Sequence, residues 1–186
     1  MNEYITRIAD NALEASQDLR QLSTGRKNAV LAELARLIQD NRKYLQTENA
    51  RDIAFARETA LEASLVDRLT LSEKVIDGMS RAALEIAALP DPVGEVIEGR
   101  TLANGVRLSK VRAPLGVVAL IYESRPNVTV DVGALCLKSG NAAILRGGKE
   151  AIHSNRALLS LFHQALKSQG IPVEAVQLIE KTERAL

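Results

Sequence analysis

Gly116-Val117-Val118-Ala119-Leu120-Ile121-Tyr122 is a continuous apolar run rather than an alternating one, and its reading decides the fold. A strand without polar alternation is expected to be buried on both faces, as in a parallel sheet covered by helices. The pattern then repeats downstream. A helical stretch from about Val128 to Ser139 closes on Gly140, placed as a left-handed cap, and a second apolar strand runs from Ala142 to Arg146. A helix from about Ala151 to Gln169 stops at Gly170 and Pro172, and a third strand covers Ala175 to Ile179. This β-α-β-α-β order is the mononucleotide-binding half of a doubly wound α/β sheet, with right-handed crossovers expected. Lys181 to Leu186 read as a charged tail, so the sheet is expected to be partial.

Upstream of this run the punctuation changes. Of eleven glycines only Gly25 and Gly78 come before residue 90, and all five prolines lie at Pro90 or later. The amino-terminal half is accordingly read as helical, near 2–21, 26–57 with a break near Asp40, and 72–89. Val30, Leu34, Leu37 and Ile38 form one apolar stripe, and Val75, Met79, Ala82, Ile86 and Leu89 another. Thr70-Leu71-Ser72-Glu73 has the spacing of a capping box with Thr70 at the N-cap. Between the halves, Val93 to Glu98 and Val106 to Arg112, joined by Asn104-Gly105, read as an exposed β-hairpin. The expected divisions are a helical segment over 1–90, a hairpin or linker over 91–112 and the partial α/β domain over 113–186.

Composition excludes several function classes. The chain has 186 residues, enough for one cored domain with a helical extension, with 46% hydrophobic residues. Its 24 Lys+Arg nearly cancel 23 Asp+Glu, so no global field attracts nucleic acid or an anionic membrane. No apolar run approaches the roughly 20 residues that cross a bilayer. Met1 to Arg20 carries Glu3, Asp10, Glu14 and Asp18, unlike a signal or transit peptide, which leads to a cytoplasmic expectation. The single cysteine, Cys136, sits inside a predicted crossover helix and reads as a buried structural residue rather than a nucleophile. His153 and His163 read as surface or packing residues, and no metal site is expected.

Ligands of open α/β sheets bind outside the carboxyl ends of the strands, so two loops carry the chemistry. In Tyr122-Glu123-Ser124-Arg125-Pro126-Asn127, Asn127 falls at the N-cap position of the next helix. Its carbonyl can cap while its amide donates to a developing oxyanion. Arg125 can hold an anionic substrate group or stand solvated. In Arg146-Gly147-Gly148-Lys149-Glu150, two glycines allow close backbone approach at a helix start, and a phosphate would fit there; a flexible turn with solvated cations is the plainer reading. A cation where an acid would read the ribose 2′-hydroxyl favours a 2′-phosphate, so Lys149 leans the choice towards NADP.

The segments Lys110 to Val118, Ile121-Tyr122-Glu123-Ser124-Arg125-Pro126-Asn127-Val128-Thr129 and Leu135 to Ala151 closely resemble the gamma-glutamyl phosphate reductase family, within the wider aldehyde dehydrogenases. The helical amino terminus and Asp91-Pro92-Val93-Gly94 are similar too, so the resemblance covers essentially the whole chain. It implies an aldehyde-dehydrogenase-like nucleotide-binding fold, with Asn127 at the oxyanion asparagine, Arg146 at the strand-end cofactor contact and Lys149 where NAD-specific relatives carry glutamate. The implied reaction begins with attack of a cysteine thiolate on L-glutamyl 5-phosphate and loss of phosphate. Hydride from NADPH then gives L-glutamate 5-semialdehyde, the second step of proline biosynthesis. Family members are considerably longer, and their nucleophilic cysteine and catalytic domain lie past the point where this sequence stops. The chain is therefore expected to correspond to the amino-terminal part, inactive alone, with a homo-oligomer as one possible state. A non-catalytic nucleotide-binding module and a structural or interaction fragment stay open beside it.

Overall fold

A computed structural model describes residues 3–181. The expected helix start at residue 2 and residues 182–186 of the expected charged tail lie outside the described residues.

Seven helices and five strands follow in order: α1 Glu3–Leu19, α2 Thr24–Asp40, α3 Arg42–Glu58, α4 Ala63–Leu69, α5 Glu73–Ala88, β1 Val96–Thr101, β2 Arg107–Val111, β3 Val117–Ile121, α6 Asn127–Lys138, β4 Ala142–Arg146, α7 Ile152–Ser168 and β5 Val176–Leu178. A 3-10 turn, Lys149–Ala151, leads into α7, and another, Val173–Ala175, leads into β5. β3, β4 and β5 form a parallel sheet in that order, with Val117 opposite Ala142, Ile121 opposite Arg146, and Leu145 opposite Leu178. The mixed α/β class and the helix-strand alternation are as expected from the sequence.

Layering follows from which stripes are apolar. Ile8, Ala12, Ala15 and Leu19 recur at helical spacing on α1, which packs on β4 and touches β3 and β5. α6 and α7 pack on β4 and β5 and on each other. α2, α3 and α5 form a further layer over α6 and α7. One hydrophobic core runs from Ile8 through Leu34, Met79 and Phe162 to Leu178. Its closest approach is at Gly133 of α6, where any Cβ would stand 2.7 Å from the Phe162 ring.

Local boundaries bear out one expectation and correct two. The helix over 26–57 does break, at Asn41, whose N–H and side-chain amide both bond the Leu37 carbonyl. Ser72, not Thr70, is the N-cap of α5, its hydroxyl accepting the Val75 N–H at 3.3 Å; the Thr70 hydroxyl instead donates to the Val66 carbonyl at the end of α4. α4, seven residues long, is too short to display a periodicity of its own. The second correction concerns β3, expected to be buried on both faces. It is the sheet's edge strand, with Ala119 exposed and Ile121 77% exposed, whereas Ala142 to Leu145 of β4 are buried throughout. The run of apolar residues reports composition, and only the central strand has neighbours on both sides and helices over both faces.

β1 and β2 form the expected antiparallel hairpin, Thr101 opposite Arg107, with an irregularity between Val96 and Glu98. Every residue of the pair is exposed. Gly105 supplies the left-handed turn residue, φ +84°.

Candidate functional site

The strand ends Ile121, Arg146 and Leu178 open onto a cleft of about 650 Å³. Ile121 and Tyr122 wall it after β3, Arg146, Gly147, Gly148 and Lys149 after β4, and Ile179 to Lys181 after β5, with Ile152 and Asn155 of α7 beneath. All four residues expected to contact a cofactor are thus brought together at one opening. Asn127 and Arg125 are not among its lining residues; the expected single pocket between both turns is formed by the second turn and by Tyr122 alone of the first.

Sterics require a glycine at 147, and at 148 a Cβ would displace the Glu150 side chain. A Cβ on Gly147 would overlap the Asn155 side-chain amide and lie 3.1 Å from the Tyr122 ring. On Gly148 it would stand 2.7 Å from the Glu150 carboxyl carbon. Glu150 in turn accepts a hydrogen bond from the Ser124 hydroxyl, tying the turn after β4 to the turn after β3. Lys149 is exposed at the lip. Glu180, the acid on the far wall, is engaged by Arg156 at 2.7 Å, so the opening keeps a cationic rim.

Beneath the glycines lies a buried chain of polar groups. The Tyr122 hydroxyl is 2.6 Å from the Thr129 hydroxyl, and Thr129 donates to Asn155 Oδ1 at 3.0 Å. Thr129 has one hydroxyl proton, so the direction of the chain is set: Tyr122 donates to Thr129 and Thr129 to Asn155. Burial pushes the Tyr122 phenol up, outweighing the Thr129 bond, and keeps it a neutral donor. Asn155, 1% exposed, presents Oδ1 to Thr129 with Nδ2 on the other side, and among the described residues this Nδ2 is the one buried side-chain polar atom without a hydrogen-bond partner. Leaving such a donor unpaired costs about 1–3 kcal/mol.

α7 has no capping side chain of its own; its N-cap position is Ala151. Asp52 of α3, 1% exposed, supplies the cap across space: Oδ1 accepts the His153 N–H at 3.0 Å, and Oδ2 accepts the Ser154 N–H at 2.8 Å and its hydroxyl at 2.6 Å. A carboxylate at a helix start also meets the positive end of the helix dipole. Asn49, one turn earlier, donates to the Leu69 carbonyl and to Ser154 Oγ and accepts the Leu71 N–H.

The first turn departs from its expected local geometry. Asn127 is the first residue of α6 and not its N-cap, which is Pro126 in helical conformation with no side-chain bond. Proline at the preceding position continues directly into the helix, leaving the Asn127 side chain free of capping. Its Nδ2 donates instead to Asp131 Oδ2 at 3.0 Å, one turn on. Burial raises the Asp131 carboxyl, and the Asn127 bond offsets part of that. Arg125 is exposed on the same loop. Cys136 is 7% exposed, and burial pushes its thiol up to about 11. His163 contacts the Val176 carbonyl at 2.8 Å, pinning α7 to β5, and His153 lies 3.8 Å from Glu48. Among the described residues no cluster of three or more His, Cys, Asp or Glu could hold a metal ion, and no helix is long and apolar enough to cross a membrane.

Sequence reasoning missed Tyr122, Thr129, Asn155 and Asp52. A signal existed for two of them: Asn155 interrupts the apolar stripe Leu158, Phe162, Leu166 on α7, and Asn49 and Asp52 interrupt the stripe Leu45 to Ala56 on α3.

Comparison with known proteins gives concordant matches. A family model described as the aldehyde dehydrogenase family matches residues 1–186. The gamma-glutamyl phosphate reductase of Aquifex aeolicus (strain VF5) is 46% identical over 183 residues, covering 98% of this chain and 42% of the relative. That of Carboxydothermus hydrogenoformans is 50% identical over 182 residues, covering 98% and 44%. The crystal structure of gamma-glutamyl phosphate reductase from Thermotoga maritima superposes with a TM-score of 0.94 at 43% identity, over 97% of this chain and 44% of that one. A probable aldehyde dehydrogenase from Listeria monocytogenes, TM-score 0.68 at 16% identity, shares the fold. The chain spans less than half the length of the curated relatives it matches.

Proposed function

Because the chain belongs to the aldehyde dehydrogenase family, we propose that its cleft receives the adenosine end of NADP, and that these residues serve an NADPH-dependent reductase converting L-glutamyl 5-phosphate to L-glutamate 5-semialdehyde in cytoplasmic proline biosynthesis. The observation that carries this reading is the cleft at the carboxyl ends of β3, β4 and β5, lined by Arg146, Gly147, Gly148 and Lys149. The group fits the residues present. Gly147 cannot carry a Cβ, so the backbone there stays open to close approach, and a buried amide donor beneath it lacks a partner. The relatives named gamma-glutamyl phosphate reductase support the substrate.

When bound, NADPH would supply a hydride to an acyl carbon. The chain's own part is to bind and orient. Arg146 and Lys149 attract the 2′-phosphate by charge, and the exposed rim position of Lys149 suits a group entering from solvent. Asn127 is the proposed oxyanion donor: one Nδ2 hydrogen is spent on Asp131, which fixes the amide plane, and the second is available to an acyl oxygen. Arg125, exposed on the same loop, is the proposed contact for an anionic substrate group. The attacking sulfur does not come from these residues. Cys136 is the only cysteine in the sequence, and a thiol pushed up to about 11 holds almost no thiolate at neutral pH. Association with a second copy through exposed strand surfaces belongs to the same reading.

Titration with NADP and NAD of the wild-type chain and of Lys149→Glu tests the cofactor assignment. Wild type is expected to prefer NADP, and the variant to lose or invert that preference; an unchanged preference would show that Lys149 is not the 2′-phosphate contact. A steady-state assay of the 186-residue chain with glutamyl phosphate and NADPH is expected to show no turnover. Turnover above a no-enzyme control would mean that a nucleophile lies within it.

A further inference from the structure

We infer that Asn155 is a nucleotide-contacting residue, whose side-chain amide beneath Gly147 donates to an oxygen of the ribose-phosphate end of the ligand once the Gly147-Gly148 turn yields. The inference rests on the proposed reading of the cleft and adds to it a donor that comes from α7 rather than from the loop.

Three observations converge. Asn155 is nearly sealed, and its Oδ1 accepts the Thr129 hydroxyl at 3.0 Å. Nδ2 has no partner among the described residues, although it is placed where a side chain at position 147 would be. The residue also lines the cleft with Arg146 and Lys149, so the nearest open space is one with a cationic rim. Oxygen-rich anionic groups complement that set: the cations supply charge and the amide supplies a directional donor. Gly147 is the thin part of the wall between amide and cleft. Having no Cβ, it can shift without displacing a side chain, and its replacement by any other residue would close this route by overlapping the amide. The alternative occupant is an ordered water, which would satisfy Nδ2 with or without a ligand.

The experiment follows the Asn155 side-chain amide in 1H–15N spectra of the wild-type chain during titration with NADP and with adenosine 2′,5′-bisphosphate. Both probes are expected to shift the Asn155 amide pair together with the backbone resonances of Gly147 and Lys149. Asn155→Asp keeps the acceptor for Thr129 and removes the donor, and Asn155→Leu removes both without adding charge. Each is expected to weaken binding of both probes at least tenfold. Movement of Gly147 and Lys149 with a stationary Asn155 amide, or unchanged affinity in both variants, would overturn this inference and leave the nucleotide reading standing. Spectra unmoved by either probe would overturn the nucleotide reading and this inference with it. Should the variants not fold, the wild-type titration decides alone.

Discussion

Lys27 has no exposed side-chain surface, and its charge enters the interior only because Asp91 meets it there at 2.9 Å. Lys27 Nζ also reaches the Lys138 carbonyl at 3.3 Å, and Lys138, likewise buried, donates to Asn28 Oδ1 and to the Ala87 carbonyl. Burial works against ionisation of Asp91, yet the Lys27 ammonium, the Val93 N–H and the Thr24 hydroxyl together hold its carboxyl below the ordinary 3.8. A depressed folded-state pKa contributes stability that is complete above the unfolded value and is lost as pH falls through the folded one. Unfolding titrations in urea are therefore expected to show stability declining below pH 3.8. Asp91→Asn should flatten that decline and, by leaving Lys27 without its counter-charge, cost roughly 3 kcal/mol at neutral pH. An acid limb of unchanged slope in the variant would assign the decline to other carboxylates.

At the scale of elements, the turn from α6 to β4 depends on one conformation. Gly140 has φ +74°, and a Cβ there would stand 2.9 Å from Pro114 Cγ and 3.2 Å from Val93 Cγ2. Gly140→Ala meets both the left-handed penalty of about 1–2 kcal/mol and this crowding. The two effects together are expected to cost at least about 2 kcal/mol in denaturant unfolding; a loss below about 0.5 kcal/mol would mean that the turn relaxes freely. This glycine was legible as a helix stop because helices commonly close on a left-handed residue, a conformation glycine adopts without steric cost. β4 was legible because its four consecutive apolar residues, Ala142 to Leu145, gain most from burial on both faces, and the centre of the sheet supplies it. β3 was misread because an identical run sits at a sheet edge, where exposure depends on neighbours that periodicity does not encode. Asn127 was misplaced by one residue because Pro126 takes helical angles itself and moves the cap back. The Arg146 to Lys149 turn was readable from glycines and charge at a strand end. Asn155 and Asp52 show in the sequence only as polar residues among apolar stripes, and their roles were not readable because their partners lie 26 and about a hundred residues away.

At the scale of the whole molecule, the hairpin and the edge of the parallel sheet are among the places where apolar surface of the described residues is left uncovered. Val96, Ile97, Leu108 and Val111 of the hairpin are each about half exposed or more, and β3 has an unpaired side at the edge of its sheet. Unpaired strand edges with exposed apolar side chains pair with other chains. Light scattering of the isolated chain is expected to report species larger than a monomer, reduced when Val111 is replaced by Asp; a clean monomer at all concentrations would count against association. A last consequence comes from Asp52. The first turn of the helix under the strand-end cleft is anchored by a carboxylate from the opposite half of the sequence, so the proposed binding region inherits its order from residues a ligand would not touch. Heating or substitutions that fray α3 would blunt recognition before disturbing the cleft's own side chains, and a bound nucleotide would, by the same connection, protect the amino-terminal helices from unravelling.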